Sequence, residues 1–270
     1  MQSNTGSTEM SRSLRKPPLR RVPATQAFSW LVSGWRMFVE QPFQWILMAL
    51  VVFIVMAVVS MVVVPLPIIG PMAAPVLFVL LTGGMLSAAA RQARGETIRF
   101  RNLFDGFSQH GGSLALVGVF YSIPLVLMSL VTVLALGGGL LAGLLGAELG
   151  GALNGVLHGL VTLVSVLITG WVVTVSVLLL MVLALVCAPA LIIYRGVPPL
   201  DAMNLSLKAS LRNIGATLLF GILIYVLFAI SLVPAGLGVL VFIPVSVGAL
   251  RQAHLDMFGD AVLHDVQGAA

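Results

Sequence analysis

Long apolar segments alternate along the chain with short polar ones. Residues that favour lipid fill 43–64, 72–90, 113–136, 160–193, 214–233 and 239–250. As a helix rising 1.5 Å per residue, the first segment alone covers about 33 Å, enough to cross the hydrocarbon core of a bilayer. Only helices or closed barrels satisfy their backbone groups there. The pattern therefore predicts an all-α integral membrane protein with about six transmembrane helices.

Two of the connecting segments carry no charge. Pro65, Pro67, Gly70 and Pro71 follow the first apolar segment, and 234–238 precedes the last. Proline interrupts helices and glycine weakens them, so both connections are predicted to be turns that close transmembrane hairpins. Pro124 lies inside the third apolar segment and predicts a kink there.

Each hairpin follows a polar segment with helical periodicity. In the first segment, one helical face carries the apolar residues Ala27, Trp30, Leu31, Gly34, Trp35 and Phe38. We expect an amphipathic helix in the membrane interface with Trp30 and Trp35 at headgroup level, ended by Pro42. The alternative is a cytoplasmic extension of the first span. Similar spacing predicts a short surface helix over 100–109 and another over 198–212.

This order of elements recurs three times, over about 25–93, 97–195 and 198–255. The first and third return spans both end with Arg-Gln-Ala, at 91–93 and 251–253. We therefore predict one membrane domain over 25–255, built from three copies of an amphipathic interfacial helix plus a transmembrane hairpin. A disordered basic tail (1–24) and a short tail (256–270) flank it, both on the cytoplasmic side.

A series of small residues interrupts the central copy at every fourth position. This glycine series consists of Gly139, Gly143, Ala147, Gly151, Gly155 and Gly159. Its spacing predicts a helical insert over 139–159 with a face that another backbone can approach closely. Gly84 and Ala88 form a similar pair in the second span. If the insert spanned the membrane, later basic residues would move outside, so we expect it to lie at the outer face or to be re-entrant.

Composition and charge sharpen this prediction. The chain is 59% hydrophobic and 9% charged, whereas soluble domains carry about 25% charged residues. Its 14 Lys and Arg fall in the N-terminal segment, in 91–101, in 195–212 and at 251. The positive-inside rule makes these places cytoplasmic. We expect five basic residues of the N-terminal segment to contact anionic lipid, with about 1 kcal/mol of attraction per charge: Arg12, Arg15, Lys16, Arg20 and Arg21. We expect no nucleic-acid partner.

The sequence offers little that could catalyse a reaction. Glu148, Asn154 and His158 are the only strongly polar cluster away from the basic segments, and exposure at the outer interface explains them as well as a functional role does. Cys187 is the single cysteine, which excludes an internal disulfide or a cysteine-based zinc site. Metalloprotease, phosphate-loop and nucleophile-elbow motifs are absent. We expect no enzyme activity, catalytic residue, metal or cofactor.

The layout and three segments of the sequence carry a resemblance to a known group of proteins. The segments are AFSWLVSGWRMFVEQPFQWI (27–46), RGETIRFRNLFDGF (94–107) and DAMNLSLKASLRN (201–213). The chain is similar to uncharacterised bacterial inner-membrane proteins with six spans, which are families of domains of unknown function. These are similar in layout to the membrane domains attached to glycerophosphodiester phosphodiesterases. The resemblance covers 24–258 and implies the bacterial inner membrane without an assigned activity.

We therefore expect a non-enzymatic structural or interaction component. It would pack with itself as a homo-oligomer or with a membrane-protein partner, because its small-residue faces favour close helix contacts. A small transporter or channel is the alternative, since internal repeats are also typical of transporters.

Overall fold

The structure, a computed structural model, describes residues 19–63 and 69–259. Within these ranges the chain is helical and contains no β-strand. A 3₁₀ helix, Phe100–Phe104, precedes the fourth of nine α-helices in the described ranges: α1 (Gln26–Glu40), α2 (Pro42–Val63), α3 (Ile69–Ala93), α4 (Asp105–Gly150), α5 (Ala152–Leu185), α6 (Ala188–Arg195), α7 (Pro199–Arg212), α8 (Ile214–Leu232) and α9 (Val239–Phe258).

Six helical segments in this part of the chain are long and apolar enough to cross a membrane. They are Pro42–Val62, Met72–Ala93, His110–Gly150, Ala152–Arg195, Ile214–Leu232 and Val239–Phe258. Each corresponds to one of the six apolar segments of the sequence. The prediction of an all-α chain with six such helices is therefore confirmed.

The core lies where the short helices meet the ends of the long ones. The indole of Trp30 on α1 packs edge-to-face against the Phe220 ring on α8, with 5.3 Å between ring centroids. A second cluster joins α2, α3 and α9 through Trp45, Met85 and Val245. Both clusters contain residues of α3 or α9 close to the arginines that end those spans, so the packed bundle surrounds the basic end of the molecule.

Helix α1 presents two apolar stripes instead of one. The stripe toward the protein is buried and contains Ala27, Trp30, Gly34 and Phe38. The other stripe is exposed and contains Phe28, Val32, Trp35 and Val39. Trp30 is 0% exposed and donates its indole N–H to the Asp256 carboxylate at 2.8 Å. The Trp30 ring is therefore part of the core and does not face lipid, whereas its level in the membrane stays a prediction.

The chain ends of the described region are tied together. The backbone N–H of Arg20 donates to the carbonyl of Met257 at 2.8 Å. Asn213 accepts from the Val22 N–H at 2.8 Å and donates to the Arg20 carbonyl at 3.0 Å. Residues 20–22 and 256–258, which the sequence placed in the two tails, thus make ordered contacts. The predicted lipid contacts Arg12, Arg15 and Lys16 lie outside the described residues, as do Pro65, Pro67 and 260–270.

Two breaks differ from the sequence prediction. The surface helix predicted over 100–109 consists of the 3₁₀ helix and the first turn of α4, which His110 (φ −136°, ψ 27°) separates from the rest of α4. The span predicted over 160–193 lies within one candidate span, Ala152–Arg195, but its helix is interrupted between α5 and α6. There Pro189 begins a new helix, and the Cys187 N–H donates to the Ser206 hydroxyl at 3.0 Å.

Candidate functional site

Helices α4 and α5 form an antiparallel hairpin that contains the glycine series. Helix α4 continues beyond the predicted third span and includes the first half of the series, and α5 includes the second half. Between them Gly151 has φ +84° and ψ 171°, a conformation essentially confined to glycine. The prediction of one helix over 139–159 is therefore wrong, because the backbone reverses at Gly151.

Small residues face each other across this hairpin. A Cβ added at Gly155 would lie 2.6 Å from the Gly143 carbonyl oxygen and 2.8 Å from the Ala147 Cβ. One added at Gly159 would lie 2.9 Å from the Gly139 carbonyl oxygen. Such distances leave no room for a side chain. The series thus lets the two helices of one hairpin approach each other.

The small-residue pair of the second span, Gly84 and Ala88, takes part in a different helix contact. Gly84 on α3 lies against the backbone of Leu103 in the 3₁₀ helix, and Gly106 lies against the Leu80 carbonyl of α3. Ala88 is fully buried in the neighbouring core cluster. These residues join α3 to the start of α4 and not to another molecule.

The three polar candidates lie at the tip of the hairpin but do not bond to one another. The Asn154 side chain donates to the Gly150 carbonyl at 3.0 Å and so satisfies the end of α4. Glu148 and His158 are exposed and have no side-chain hydrogen bond or ion pair within the described ranges. The described residues also hold no group of three His, Cys, Asp or Glu side chains that could bind a metal ion.

Most of the hairpin lies beyond the packed bundle. The core clusters include α4 only as far as Tyr121 and α5 only from Met181. We call residues 122–150 and 152–180 the hairpin arm. Its outward face is apolar, with Leu140 67% exposed and Leu149 89% exposed. The other large exposed residues near its tip are Leu136, Leu141, Leu144, Leu145, Leu153, Val156, Leu157, Leu160 and Val161.

The hairpin is longer than a bilayer is thick. The α5 helix contains 34 residues, or ~50 Å. The apolar segment of α4 contains 41 residues, so it extends ~60 Å along its helix axis. The hydrocarbon core measures ~30 Å, and a tilt of 40°, the upper end of the usual range, still leaves ~45 Å along the membrane normal. Lipid tails around a single crossing therefore cannot cover α4 along its whole apolar length.

An exposed tryptophan marks a level partway along the arm. Gly170 lies against the Val131 side chain, which places the adjacent Trp171 about 20 residues, or ~30 Å, from the start of the apolar part of α4. Trp171 is exposed, and tryptophan is enriched at membrane–water interfaces. The arm beyond Trp171 carries the exposed leucines of the tip.

The basic end of the molecule holds a buried polar network that sequence reasoning missed. The side-chain carbonyl of Gln92 accepts a hydrogen bond from the Trp45 indole N–H at 2.7 Å. The side-chain NH₂ of Gln92 donates to the Glu40 carboxylate at 2.7 Å and to the Met37 backbone carbonyl at 2.8 Å. The only sequence signal for this network is the repeated Arg-Gln-Ala at the ends of two spans. The partners of Gln92 lie 47 to 55 positions away, so spacing could not reveal them.

The connection between α3 and the 3₁₀ helix is held by ion pairs. Arg91 lies 3.4 Å from the Asp105 carboxylate and 3.5 Å from that of Glu96, and Arg94 lies 2.7 Å from Glu96. The hydrogen bond from Arg94, with the positive charges of Arg94 and Arg91, lowers the pKa of Glu96. Because Glu96 is exposed, this pair orients the connection more than it stabilises the fold.

The chain has no match among protein-family models, curated proteins or solved structures. The similarity to six-span families of unknown function stays a prediction.

Proposed function

We propose that the protein is a non-enzymatic, multi-pass component of the bacterial inner membrane that associates laterally through its hairpin arm. The partner that fits best is the arm of a second copy. The observation that carries this proposal is the apolar length of α4 and of α5 with α6, about twice that of the other spans. Exposed leucines beyond one bilayer thickness need a cover other than lipid tails.

A second copy supplies a cover of matching length. In copies inserted in the same orientation, the two arms have the same depth and the same apolar outward face. The described arm carries one charged residue, Glu148, close to its tip, so charge repulsion between copies is confined to one level. Packing of two such surfaces would remove the exposed leucines from water and gain dispersion contacts.

The proposed membrane placement follows the charges. The arginines of 91–101, the basic residues of 195–212 and Arg251 lie at the ends of span pairs, and α3, α5/α6 and α9 are the returning spans. The positive-inside rule then makes this end cytoplasmic and the arm's tip external. The same order supports three copies of a lead-in element plus a hairpin: α1–α3, the 3₁₀ helix with α4–α6, and α7–α9.

A small transporter or channel is less well supported. Transporters commonly place polar side chains or broken helices at mid-membrane. The buried polar residues of the described spans, away from the basic end, are mainly hydroxyl residues such as Ser122, Thr174 and Ser231. Substrate-coupled flux in reconstituted vesicles that disappears in Glu148→Gln or His158→Gln would favour the transporter.

Cysteine cross-linking tests the association. Leu145→Cys and Leu157→Cys place thiols on the outward face of the arm, where both native side chains are exposed. We expect oxidation in membranes to give covalent dimers from each single variant. Cys187 is fully buried and should give no background.

A cysteine on the inward face provides the matched control. In Gly143→Cys the thiol faces α5 of the same chain, so we expect far less dimer from it than from Leu145→Cys. Equal yields from the two variants, or a single-chain mass for the protein in nanodiscs, would contradict self-association.

A further inference from the structure

A polar cavity lies at the basic end, between α1, α3 and α9. Its volume is about 210 Å³, below the ~300 Å³ at which sites for drug-sized ligands begin. Its polar lining consists of Ser33, Arg36, Glu40, Gln92, Arg251 and Gln252. The two Arg-Gln-Ala segments of the first and third return spans thus meet at one cavity.

Close backbone packing puts the two arginines at this place. Gly34 on α1 contacts the Val245 carbonyl and would hold a Cβ only 2.8 Å from the Ala249 nitrogen. A Cβ added at Gly248 on α9 would likewise lie 2.7 Å from the Gly34 Cα. Arg36 and Arg251 follow these glycines within three residues, so the contact that joins the helices also directs both guanidinium groups to the cavity.

The cavity carries an excess of positive charge. Neither Arg36 nor Arg251 has a carboxylate within salt-bridge distance in the part of the chain that the structure describes. Glu40, the one acidic residue of the lining, accepts a hydrogen bond from the buried Gln92 amide at 2.7 Å. Two guanidinium groups and one carboxylate leave a net charge of +1, which one phosphodiester would neutralise.

We propose that this cavity binds the phosphodiester headgroup of a membrane phospholipid, with Arg36 and Arg251 donating to its phosphate oxygens. Guanidinium groups match phosphate oxygens in geometry and charge. A volume of about 210 Å³ has room for a headgroup phosphate. The proposal depends on the membrane placement given above and is independent of self-association.

Apolar features on the same helices favour a lipid over free phosphate. The exposed stripe of α1, which includes Val32 and Trp35, faces away from the protein. Next to it, α1, α8 and α9 form an apolar groove of about 630 Å³ lined by Leu31, Trp35, Leu227, Val241 and Phe242 among others. A groove with this lining fits an acyl chain, so one short region presents surfaces for both parts of a phospholipid.

Lipid-dependent thermal unfolding tests the assignment. The full-length protein in detergent is titrated with dioleoylphosphatidylglycerol, and the rise in Tm gives an apparent Kd. We expect the double variant Arg36→Gln/Arg251→Gln to bind this lipid at least about tenfold more weakly, the effect of losing one charge-assisted hydrogen bond. The control is Arg101→Gln/Arg212→Gln, which removes the same charge from exposed positions outside the cavity and should bind as the wild type does.

Each other outcome counts against the proposal. Equal weakening in both double variants would show diffuse surface electrostatics and would overturn the site. Stabilisation by inorganic phosphate alone, lost in Arg36→Gln/Arg251→Gln, would assign the cavity to free phosphate and overturn the lipid. If the cavity variant fails to fold, Arg36→Lys/Arg251→Lys keeps the charge without the planar guanidinium group. Unchanged lipid affinity in that variant would contradict recognition of the phosphate by guanidinium geometry.

Discussion

Gln92 demonstrates how one amide can hold three segments of this chain. It is 6% exposed and bonds to the indole of α2, the carboxylate of Glu40 and a carbonyl of α1. In an apolar setting, a polar group that loses its partner has no water to replace it. A single side chain therefore fixes the position of α1 and α2 against the end of α3.

Replacing Gln92 should destabilise the fold. Gln92→Leu keeps a similar volume but leaves the Trp45 N–H and the Met37 carbonyl without this partner, at about 1–3 kcal/mol for an unsatisfied buried group. We expect a lower Tm in detergent. Gln44→Leu is the control, because Gln44 is only half-buried and has no side-chain hydrogen bond within the described ranges. An unchanged Tm for Gln92→Leu would show that the network is not needed for stability.

At the scale of elements, helix identity followed from hydrophobicity, whereas helix length did not. The apolar segments near Pro42 and near 234–238 predicted α2, α8 and the start of α9 closely, since proline and glycine mark these ends, but α9 continues from the predicted end at 250 to Phe258. The glycine series was misassigned for a physical reason. Four-residue spacing makes a small face on one helix, and it makes the same face on two helices that fold back on each other at Gly151. The spacing alone does not show which helix packs against this small-residue face.

The hairpin makes that distinction measurable. Gly155→Ala adds a methyl group where the Gly143 carbonyl oxygen is 2.6 Å away, and overpacking of this kind costs about 1–3 kcal/mol. We expect faster hydrogen–deuterium exchange throughout the arm. Gly137→Ala is the matched control, since nothing lies within 4 Å of its added Cβ and alanine favours a helix by ~1 kcal/mol over glycine. Equal exchange rates in the two variants would argue against tight packing at Gly155.

At the scale of the molecule, the basic residues and the candidate spans give one consistent arrangement. Six apolar helices return every basic segment to the same end, and the tip at Gly151 lies at the other. The contacts of that basic end were beyond sequence reasoning, because Trp30 and its acceptor Asp256 are 226 positions apart. Amphipathic spacing marked the apolar face of α1 but could not distinguish a lipid-facing ring from a core ring.

Labelling in whole cells tests the orientation. Leu149→Cys lies at the arm's tip and is 89% exposed, and Leu200→Cys lies on α7 at the basic end, where the native side chain is also exposed. A membrane-impermeant maleimide should modify the first variant in intact cells and the second only after permeabilisation. Labelling of both from the same side would contradict the single crossing between Gly151 and the basic end.

The packing of α1 against α9 has a consequence for biosynthesis. Gly34 and Gly248 bring these helices into backbone contact, although α1 leaves the ribosome early and α9 leaves it late. Until α9 is synthesised, the buried stripe of α1 therefore lacks its native partner and is covered only by lipid or by the insertion machinery. A chain that stalls before α9 would display Trp30 and Phe38 at the membrane surface, which is the kind of signal that quality-control proteases recognise.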